Sequence, residues 1–560
     1  MKEQLNDKKN LEITKEPNEE EEKPSRKNII IIFSIGLIIF ILLIIFLFSL
    51  RNRIKELAKT ENILRPYIDN KEYLIIELAN KMKVALISDN TTMSSGCGLS
   101  ITTGSFYDII EGLAVFASNM ILAGRKDFLQ DNETYIDKII ESEGKSLITT
   151  SNNMTTYSFH VHNDNFIEII QLFSQIIDSP ELTKTNEKEI NVIEIYIKSL
   201  VQIQQNDFLA SNHSTYLLKQ IIKDLSNEYH PYHNLNIGNN VTLNIKNKYN
   251  NKKYTEFLLG DVKSYFDTFY KTKNMTLIVY SNLTIDNMTN LVKKYFGFDS
   301  HSSLDVESFL FKSKLENLTK EPYDNNNSLN KFVIYTSSNW NSLYFSFYIK
   351  NNDYLDIKIF IEYFKFVFFS RAENTLFRHL FMGDLIHKIT IDESDIGYKN
   401  FNIFSFRIHI HRLKLQDHYI EIIEDVFNYI KNILNNGIKK ELYDNLAKIH
   451  DFKFLTTEYT KEIYTVTSSL SYNLFSDNYN YFLKGMKFPD YNETIEKGLK
   501  DYTEQLKYEN SIIVMASYED FIETLNKDLK NNGNLEYYNY PYKYNDNIED
   551  FLNSEKKKKN

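Results

Sequence analysis

One cysteine, Cys97, occurs in 560 residues, which excludes an intramolecular disulfide framework and any CxxC zinc or redox site. Proline (8), glycine (16) and tryptophan (1) are also scarce, so collagen-like and Gly- or Pro-rich low-complexity classes are excluded. No GxSxG, P-loop or GxGxxG pattern occurs, so the usual signatures of a serine hydrolase, a nucleoside triphosphatase or a dinucleotide enzyme are missing. Cations do not prevail either: 65 Lys and Arg face 75 Asp and Glu, a formal net charge of −10. That balance argues against nucleic acid as a partner, because phosphate contacts need clustered Lys and Arg. What the chain does have is 42% hydrophobic and 14% aromatic residues, enough to bury a core and too much for wholesale disorder. At about 150 residues per domain, the length allows three to four domains.

One segment stands apart. Ile29 to Leu50, IIIIFSIGLIIFILLIIFLFSL, carries no charge and nothing more polar than Ser34. As a helix at 1.5 Å per residue it spans about 33 Å, close to the hydrocarbon thickness of a bilayer. It starts too late, runs too long and lacks a small-residue cleavage site for a cleaved signal peptide, so a signal anchor is expected. Basic residues flank both sides (Lys15, Lys23, Arg26 and Lys27 before; Arg51, Arg53, Lys55 and Lys59 after) and nearly balance. The short N-terminal tail is the part more easily kept cytosolic. The expectation is therefore a single-pass protein with a cytosolic N-terminus, in the endomembrane system or at the cell surface.

Beyond residue 66, apolar alternation predicts strands at Tyr73–Leu78, Val84–Ile87, Tyr157–His162, Thr276–Tyr280, Lys331–Tyr335, Leu343–Ile349 and Asn402–His411. Helical periodicity predicts helices at Ile109–Leu122, Phe166–Ile177, Glu187–Ile203, Thr255–Phe269, Ile285–Tyr295, Ile357–Phe368 and Ile420–Leu434. Strands with long intervening helices point to an α+β class with helices packed on one sheet face.

Several segments then resemble, in order, the insulinase (pitrilysin-like) zinc metallopeptidases, in particular the N-terminal half of insulin-degrading enzyme. ELANKMKVALISDNTT (Glu77–Thr92) is similar to the family's opening strand pair, and GSFYDIIEGLAVFASNMILAGRKDF (Gly104–Phe128) to its catalytic-helix segment. NEKEINVIEIYIKS (Asn186–Ser199) resembles the downstream helix, HPYHNLNIGNNVTL (His230–Leu243) the HPFxxFxTGNxxTL stretch, and Asn274–Gly297 the closing strand and helix. Weaker similarity continues from Lys331 to about Phe551. The resemblance implies two insulinase-like α/β-sandwich domains, each a mixed sheet with helices packed on it, behind one N-terminal transmembrane helix. The expected organisation is a disordered cytosolic tail over 1–28, the transmembrane helix over 29–50 and a linker over 51–66. A degenerate catalytic domain over 67–305 and a second insulinase-like domain over 306–560 follow.

The chemistry departs from the family. Peptide hydrolysis by one zinc needs three protein ligands, an open position for water and a carboxylate base. In this family an inverted HxxEH helix supplies two His ligands and the Glu base, and a Glu on the downstream helix is the third ligand. The matching stretch here reads Val115-Phe116-Ala117-Ser118-Asn119. Val115 has no lone pair, Asn119 offers only a neutral amide oxygen, and Ser118 stands at the base position without a basic neighbour in sequence. The third ligand position holds Tyr196, a phenol of ordinary pKa about 10. The expectation is that the zinc of the family is not bound, that no residue is catalytic, and that ligand positions Val115, Asn119 and Tyr196 and base position Ser118 are degenerate. Gly112, Leu113, Met120 and Gly124 keep the family's packing and turn positions.

No other metal site emerges from spacing. The 12 histidines include the strand pairs His160/His162 and His409/His411, but no HxxxH on a helix. By the resemblance His230-Pro231 is a structural turn. Cys97 lies in an apolar strand, SSGCGLSI, as a small buried residue. Thr150 falls where the family pairs substrate backbone with an exposed strand edge, which makes it a candidate for peptide binding by strand addition. A membrane-anchored binding or regulatory protein is therefore the leading expectation, with a peptide ligand or an insulinase-family partner chain. Two alternatives stand beside it: a subunit of an active zinc metallopeptidase with an intact paralogue, and a structural subunit of a membrane complex. The resemblance ends after the family's first half, so a partner for the exposed concave face is expected.

Overall fold

The computed structural model describes residues 54–559 apart from 124–134, 178–186, 211–213, 244–253, 298–315, 324–327, 338–340, 399, 413, 458–461, 526–528 and 530. The Ile29 to Leu50 run lies outside the described residues, and among the described residues no helix is long and apolar enough to cross a membrane.

Seven strands make a first sheet: β1 (Lys55–Lys59), β2 (Glu72–Glu77), β3 (Lys83–Ser88), β4 (Ser94–Ile101), β5 (Lys145–Thr150), β6 (Thr155–His162) and β7 (Met275–Ser281), in the order β1-β2-β3-β7-β4-β6-β5. Seven more make a second: β8 (Lys331–Thr336), β9 (Ser342–Lys350), β10 (Ile386–Asp392), β11 (Phe401–Ile410), β12 (Ser511–Ser517), β13 (Asn531–Leu535) and β14 (Tyr540–Asn545), in the order β10-β11-β9-β12-β8-β14-β13. The two sheets repeat one topology. Strands β3-β7-β4-β6-β5 correspond to β8-β12-β9-β11-β10, with one parallel pair in each set (β3 with β7, β12 with β8) and β5 or β10 at the edge. Apolar runs explain the centres: β12 is SIIVMAS and buried throughout.

The first sheet packs its Val84, Leu86, Leu99, Tyr157 and Leu277 side against the helices of the first region. Among these are α1 (Leu113–Ala123), α2 (Glu187–Ala210) and α3 (Ile285–Phe296). Its opposite side, Ile75, Ala85 and Ile278, is covered from far along the chain by α4 (Ile463–Asn473) through Val466 and Leu470. The second sheet is likewise covered on both sides. Phe345, Phe406 and Ile513 face its own helices, while Val333, Tyr344, Phe401 and Val514 pack against Phe106, Leu217 and Leu218 of the first region. The expectation of helices on one sheet face is thus corrected: parallel pairs at the sheet centres leave two apolar faces, and both must be buried.

Glycine in β4 is what admits α4. A Cβ on Gly98 would stand 2.4 Å from the Thr467 carbonyl oxygen, and one on Gly96 would stand 3.0 Å from Ile463 Cγ2 of the same helix. The helix lies directly on the strand, and small hydroxyls finish the contact: Ser100 Oγ and Ser471 Oγ are 2.6 Å apart, and Thr276 Oγ1 donates to the Ser471 carbonyl at 2.7 Å. Gly98→Val is expected to lower stability by about 3 kcal/mol, because the clash is with backbone and cannot be relieved by a rotamer. Denaturant melts of the variant check this, and an unchanged midpoint would contradict the close approach.

Residues 51–66, expected to be a linker, contribute β1 and the 3-10 turn Thr60–Asn62. β1 reads KELAK, a short edge strand with charges at alternate ends, which is how sheets blunt an edge and why apolar alternation misses it. The expected domain boundary at 305/306 lies outside the described residues.

Candidate functional site

The start of α1 is built by a buried carboxylate. Asp108 accepts from the Gly112 amide at 3.0 Å and the Ala114 amide at 2.8 Å, satisfying two of the free N–H groups of the first turn. Gly112 turns at φ 87° against Gly238 at φ 63°, and a Cβ on either would come within 2.6 Å of the other's Cα. Gln204 on α2 reaches across and donates through Nε2 to the Gly112 carbonyl at 2.9 Å. Two helices are thereby locked side by side, and they carry the four positions that the resemblance singles out. Leu113 and Met120 are fully buried beneath them; Gly124 lies outside the described residues.

Val115, Ser118 and Asn119 lie within one turn of α1, the latter two at three and four positions beyond the first. The Val115 carbonyl accepts from Ser118 Oγ at 2.8 Å and from Asn119 Nδ2 at 3.0 Å. Both polar side chains therefore fold back on their own helix, an ordinary local arrangement for such residues. The Ser118 proton is committed to a carbonyl, and Ser118 itself is 1% exposed. Tyr196 is half-buried on α2, and burial first, then the nearby Asp137 carboxylate, push its phenol up to about 12. At neutral pH it carries its proton. A side chain without donors, a neutral amide, an undissociated phenol and a hydroxyl do not fit the zinc that the resemblance implies. Among the described residues no group of three His, Cys, Asp or Glu side chains is arranged to hold a metal ion.

Thr150 closes the last turn of the site from the sheet. It ends β5, the edge strand, and its Oγ1 donates to Ser118 Oγ at 3.3 Å. The structure thus brings together two residues that lie 32 positions apart. Side chains of β5 alternate between exposed (Lys145, Leu147, Thr149) and half-buried (Ser146, Ile148, Thr150). One backbone edge of β5 pairs with β6 and the other has no neighbouring strand among the described residues.

The residue that holds this edge in place escaped the sequence reading. Asn152, two positions past Thr150, is 4% exposed and donates to Asp395 Oδ1 at 2.8 Å; it is also hydrogen-bonded to Tyr398 and Asn236. Tyr398 in turn donates to Asp395 Oδ1 at 2.8 Å. These partners stand 84 to 246 positions away along the chain, so no spacing pattern could have exposed the cluster.

The histidines sit as follows. His160 is half-buried edge-on to Tyr464, with its pKa lowered by burial, and His162 is exposed. His409 is 8% exposed beside Thr390 Oγ1 at 3.1 Å, and burial first, then Arg407, push it down to about 4. His411 packs on His387, ring centres 3.6 Å apart, a neighbour contributed by the facing strand at a β-bulge. His230 is buried and its Nδ1 accepts from the Tyr232 amide at 3.0 Å, so it caps the turn at Pro231. Cys97 is fully buried, with its thiol pushed well up by desolvation.

Comparison with known proteins follows the same outline. Residues 83–223 match the family described as Insulinase (Peptidase family M16), and residues 258–449 match the Peptidase M16 inactive domain. Insulin-degrading enzyme-like 2 of Arabidopsis thaliana is 30% identical over 237 residues, 42% of this chain and 23% of that protein. Insulin-degrading enzyme of Mus musculus is 29% identical over 252 residues, 44% of this chain and 23% of that protein. The matched stretch is thus about a quarter of the length of these relatives. In fold, the chain is similar to pitrilysin (TM-score 0.73, 18% identity, covering 90% of this chain and 49% of pitrilysin). It is also similar to a protease from Helicobacter pylori (TM-score 0.55, 15% identity, covering 80% of this chain and 99% of that one).

Proposed function

Since this chain belongs to the insulinase family, peptidase family M16, yet carries Val115, Ser118, Asn119 and Tyr196 where the resemblance places the family's metal ligands and base, we propose that it is a catalytically silent member. It acts by binding, with a peptide or an insulinase-family partner chain as its ligand, and it is held at a membrane by Ile29 to Leu50. The donor chemistry at those four positions carries this reading. Hydroxide generation needs a Lewis acid or a base, and the side chains there supply neither. Ser118 and Asn119 spend their protons on the Val115 carbonyl, and the Tyr196 phenol stays protonated.

The β5 edge supports peptide binding. An extended peptide that adds to this edge finds a row of backbone donors and acceptors, and its alternate side chains fall beside Ile148 and Thr150 on one face and Leu147 and Thr149 on the other. Leu147, 36% exposed, flanks that path, so Leu147→Lys is expected to weaken binding of an unstructured peptide about tenfold with an unchanged melting temperature. Fluorescence anisotropy of a labelled peptide reads the difference.

Metal content and proteolysis test the reading as a whole. The purified full chain is expected to carry no stoichiometric zinc and to leave an unstructured peptide intact. One zinc per chain with chelator-sensitive cleavage would overturn it. Resistance to alkaline extraction tests the membrane anchor separately: the chain is expected to stay in the membrane pellet.

A further inference from the structure

Three helices that follow the first sheet in the chain meet around a cleft of about 500 Å³, within the usual size of a small-molecule site. The helices Ile357–Phe369 and Leu415–Asn436 both end there: Phe366, Val367 and Ser370 line it from the first, Ile433, Asn436 and Gly437 from the second. The helix Lys440–Leu455 begins there and contributes Glu441 and Leu442. Glu373 and Asn374, in the loop after Ser370, complete the rim. None of these residues belongs to β5 or to α1.

The polar chemistry of this wall is one-sided. Tyr429 spends its hydroxyl proton on the Asn374 carbonyl at 2.5 Å and the Val367 carbonyl at 3.3 Å. Thr375 Oγ1 donates to the Ser370 carbonyl at 2.7 Å and accepts from the Arg378 amide at 3.3 Å. In the first turn of the third helix the Leu442 and Tyr443 amides are turned onto the Lys439 carbonyl, at 3.1 and 3.3 Å. These donors are used up, while acceptors remain. Two helices present their last-turn carbonyls, the negative end of the macrodipole, and the Glu373 and Glu441 carboxylates are both exposed. Lys439 is the only ammonium among the lining residues, and the amides of Asn432 and Asn436 can serve either role. Tyr363, Phe366 and Tyr429 add aromatic surface.

We propose that this cleft binds an organic cation: an ammonium, amidinium or guanidinium group on an apolar stem. The charge lies at the helix ends between the two carboxylates, and the stem lies on the aromatic wall. An anion of the same shape would meet carboxylates and carbonyls alone, and a neutral apolar molecule would strip them of water without replacing it. A lysine or arginine side chain of a peptide and a free amine share this chemistry.

The test is calorimetric titration of the detergent-solubilised full chain with benzamidine and with benzoate, near isosteres of opposite charge. Benzamidine is expected to bind with a dissociation constant below about 1 mM, and benzoate about tenfold more weakly or not at all. Ile433→Trp fills the cleft and is expected to abolish benzamidine binding at an unchanged melting temperature. Glu373→Gln/Glu441→Gln, at exposed positions, is expected to weaken it about tenfold. A capped Phe-Arg dipeptide that binds more tightly than benzamidine assigns the cleft to a peptide side chain; weaker binding assigns it to a free amine. Equal binding of benzoate, or benzamidine binding that survives both variants, would overturn the proposal. So would the absence of any heat from benzamidine at about 10 mM.

Discussion

Val115→His, Asn119→His and Tyr196→Glu together are expected to convert this chain into one that binds a single zinc ion with a dissociation constant below about 1 µM, equivalent to about 8 kcal/mol. Positions 115 and 119 are one helical turn apart and share a face of α1. The hydrogen bond from Gln204 to Gly112 fixes the helix that carries position 196 beside them. Val115, Asn119 and Tyr196 are all half-buried rather than sealed, so the larger imidazoles have room and the zinc keeps a solvent side. Ser118→Glu is not needed for binding, since that position is a base and not a ligand; adding it costs the Thr150 contact. Metal analysis after dialysis, with calorimetric titration, reads the result. A folded triple variant that takes up no zinc would show that these positions are not the family's metal site in this chain. Activity need not follow from binding alone.

The second large effect concerns a buried cation. Lys223 lies in the last turn of the helix Ser214–Asp224, is 5% exposed, and holds its ammonium 5.3 Å from the centre of the Tyr232 ring. Burial lowers its pKa to about 8, against the upward pull of the Asp395 carboxylate and with a further push down from Lys219. Because the folded pKa is depressed, the unfolded chain binds more protons between about pH 8 and the ordinary lysine value. Stability attached to this group is therefore fully present above about 10.5 and is lost as pH falls through about 8. Lys223→Met keeps the stem and removes the charge, so at pH 7 it is expected to be about 2 kcal/mol more stable than the parent, somewhat less than the pKa displacement allows. The advantage should shrink steadily as pH rises toward 10. Comparing parent and variant at each pH cancels the titration of the many tyrosines. A destabilised variant with a pH-independent gap would mean that the ammonium is a structural contact and not a strained charge.

Elements with strong periodicity are legible in the residue order alone. The strand expected at Leu343–Ile349 is β9, Ser342–Lys350, and the helix expected at Ile285–Tyr295 is α3, Ile285–Phe296. Apolar side chains recur there at period 2 or 3.6, and burial follows that period. Elements whose burial comes from distant partners were not legible. β1 is mostly charged and exists because Lys55–Lys59 pairs with β2. The helix Ile463–Asn473 carries small hydroxyl residues, Thr467 and Ser471, that look like a polar turn until Gly96 and Gly98 are seen to leave a groove for them. The repeat of one strand order in both sheets is likewise invisible in the residues, since a topology constrains spacing and burial far more strongly than side-chain identity.

The side-chain types at positions 115, 118, 119 and 196 follow from the amino-acid order alone, because whether an atom can donate a lone pair or accept a proton is a property of the residue. Family membership is of the same kind, carried by collinear segments that need no fold to be compared. What the tertiary structure alone decided is which groups meet: Thr150 against Ser118, Asn152 against Asp395, and Lys223 under Tyr232. Those contacts join residues up to hundreds of positions apart, and only packing, which sets distance and desolvation, converts a list of side chains into a field and a shape.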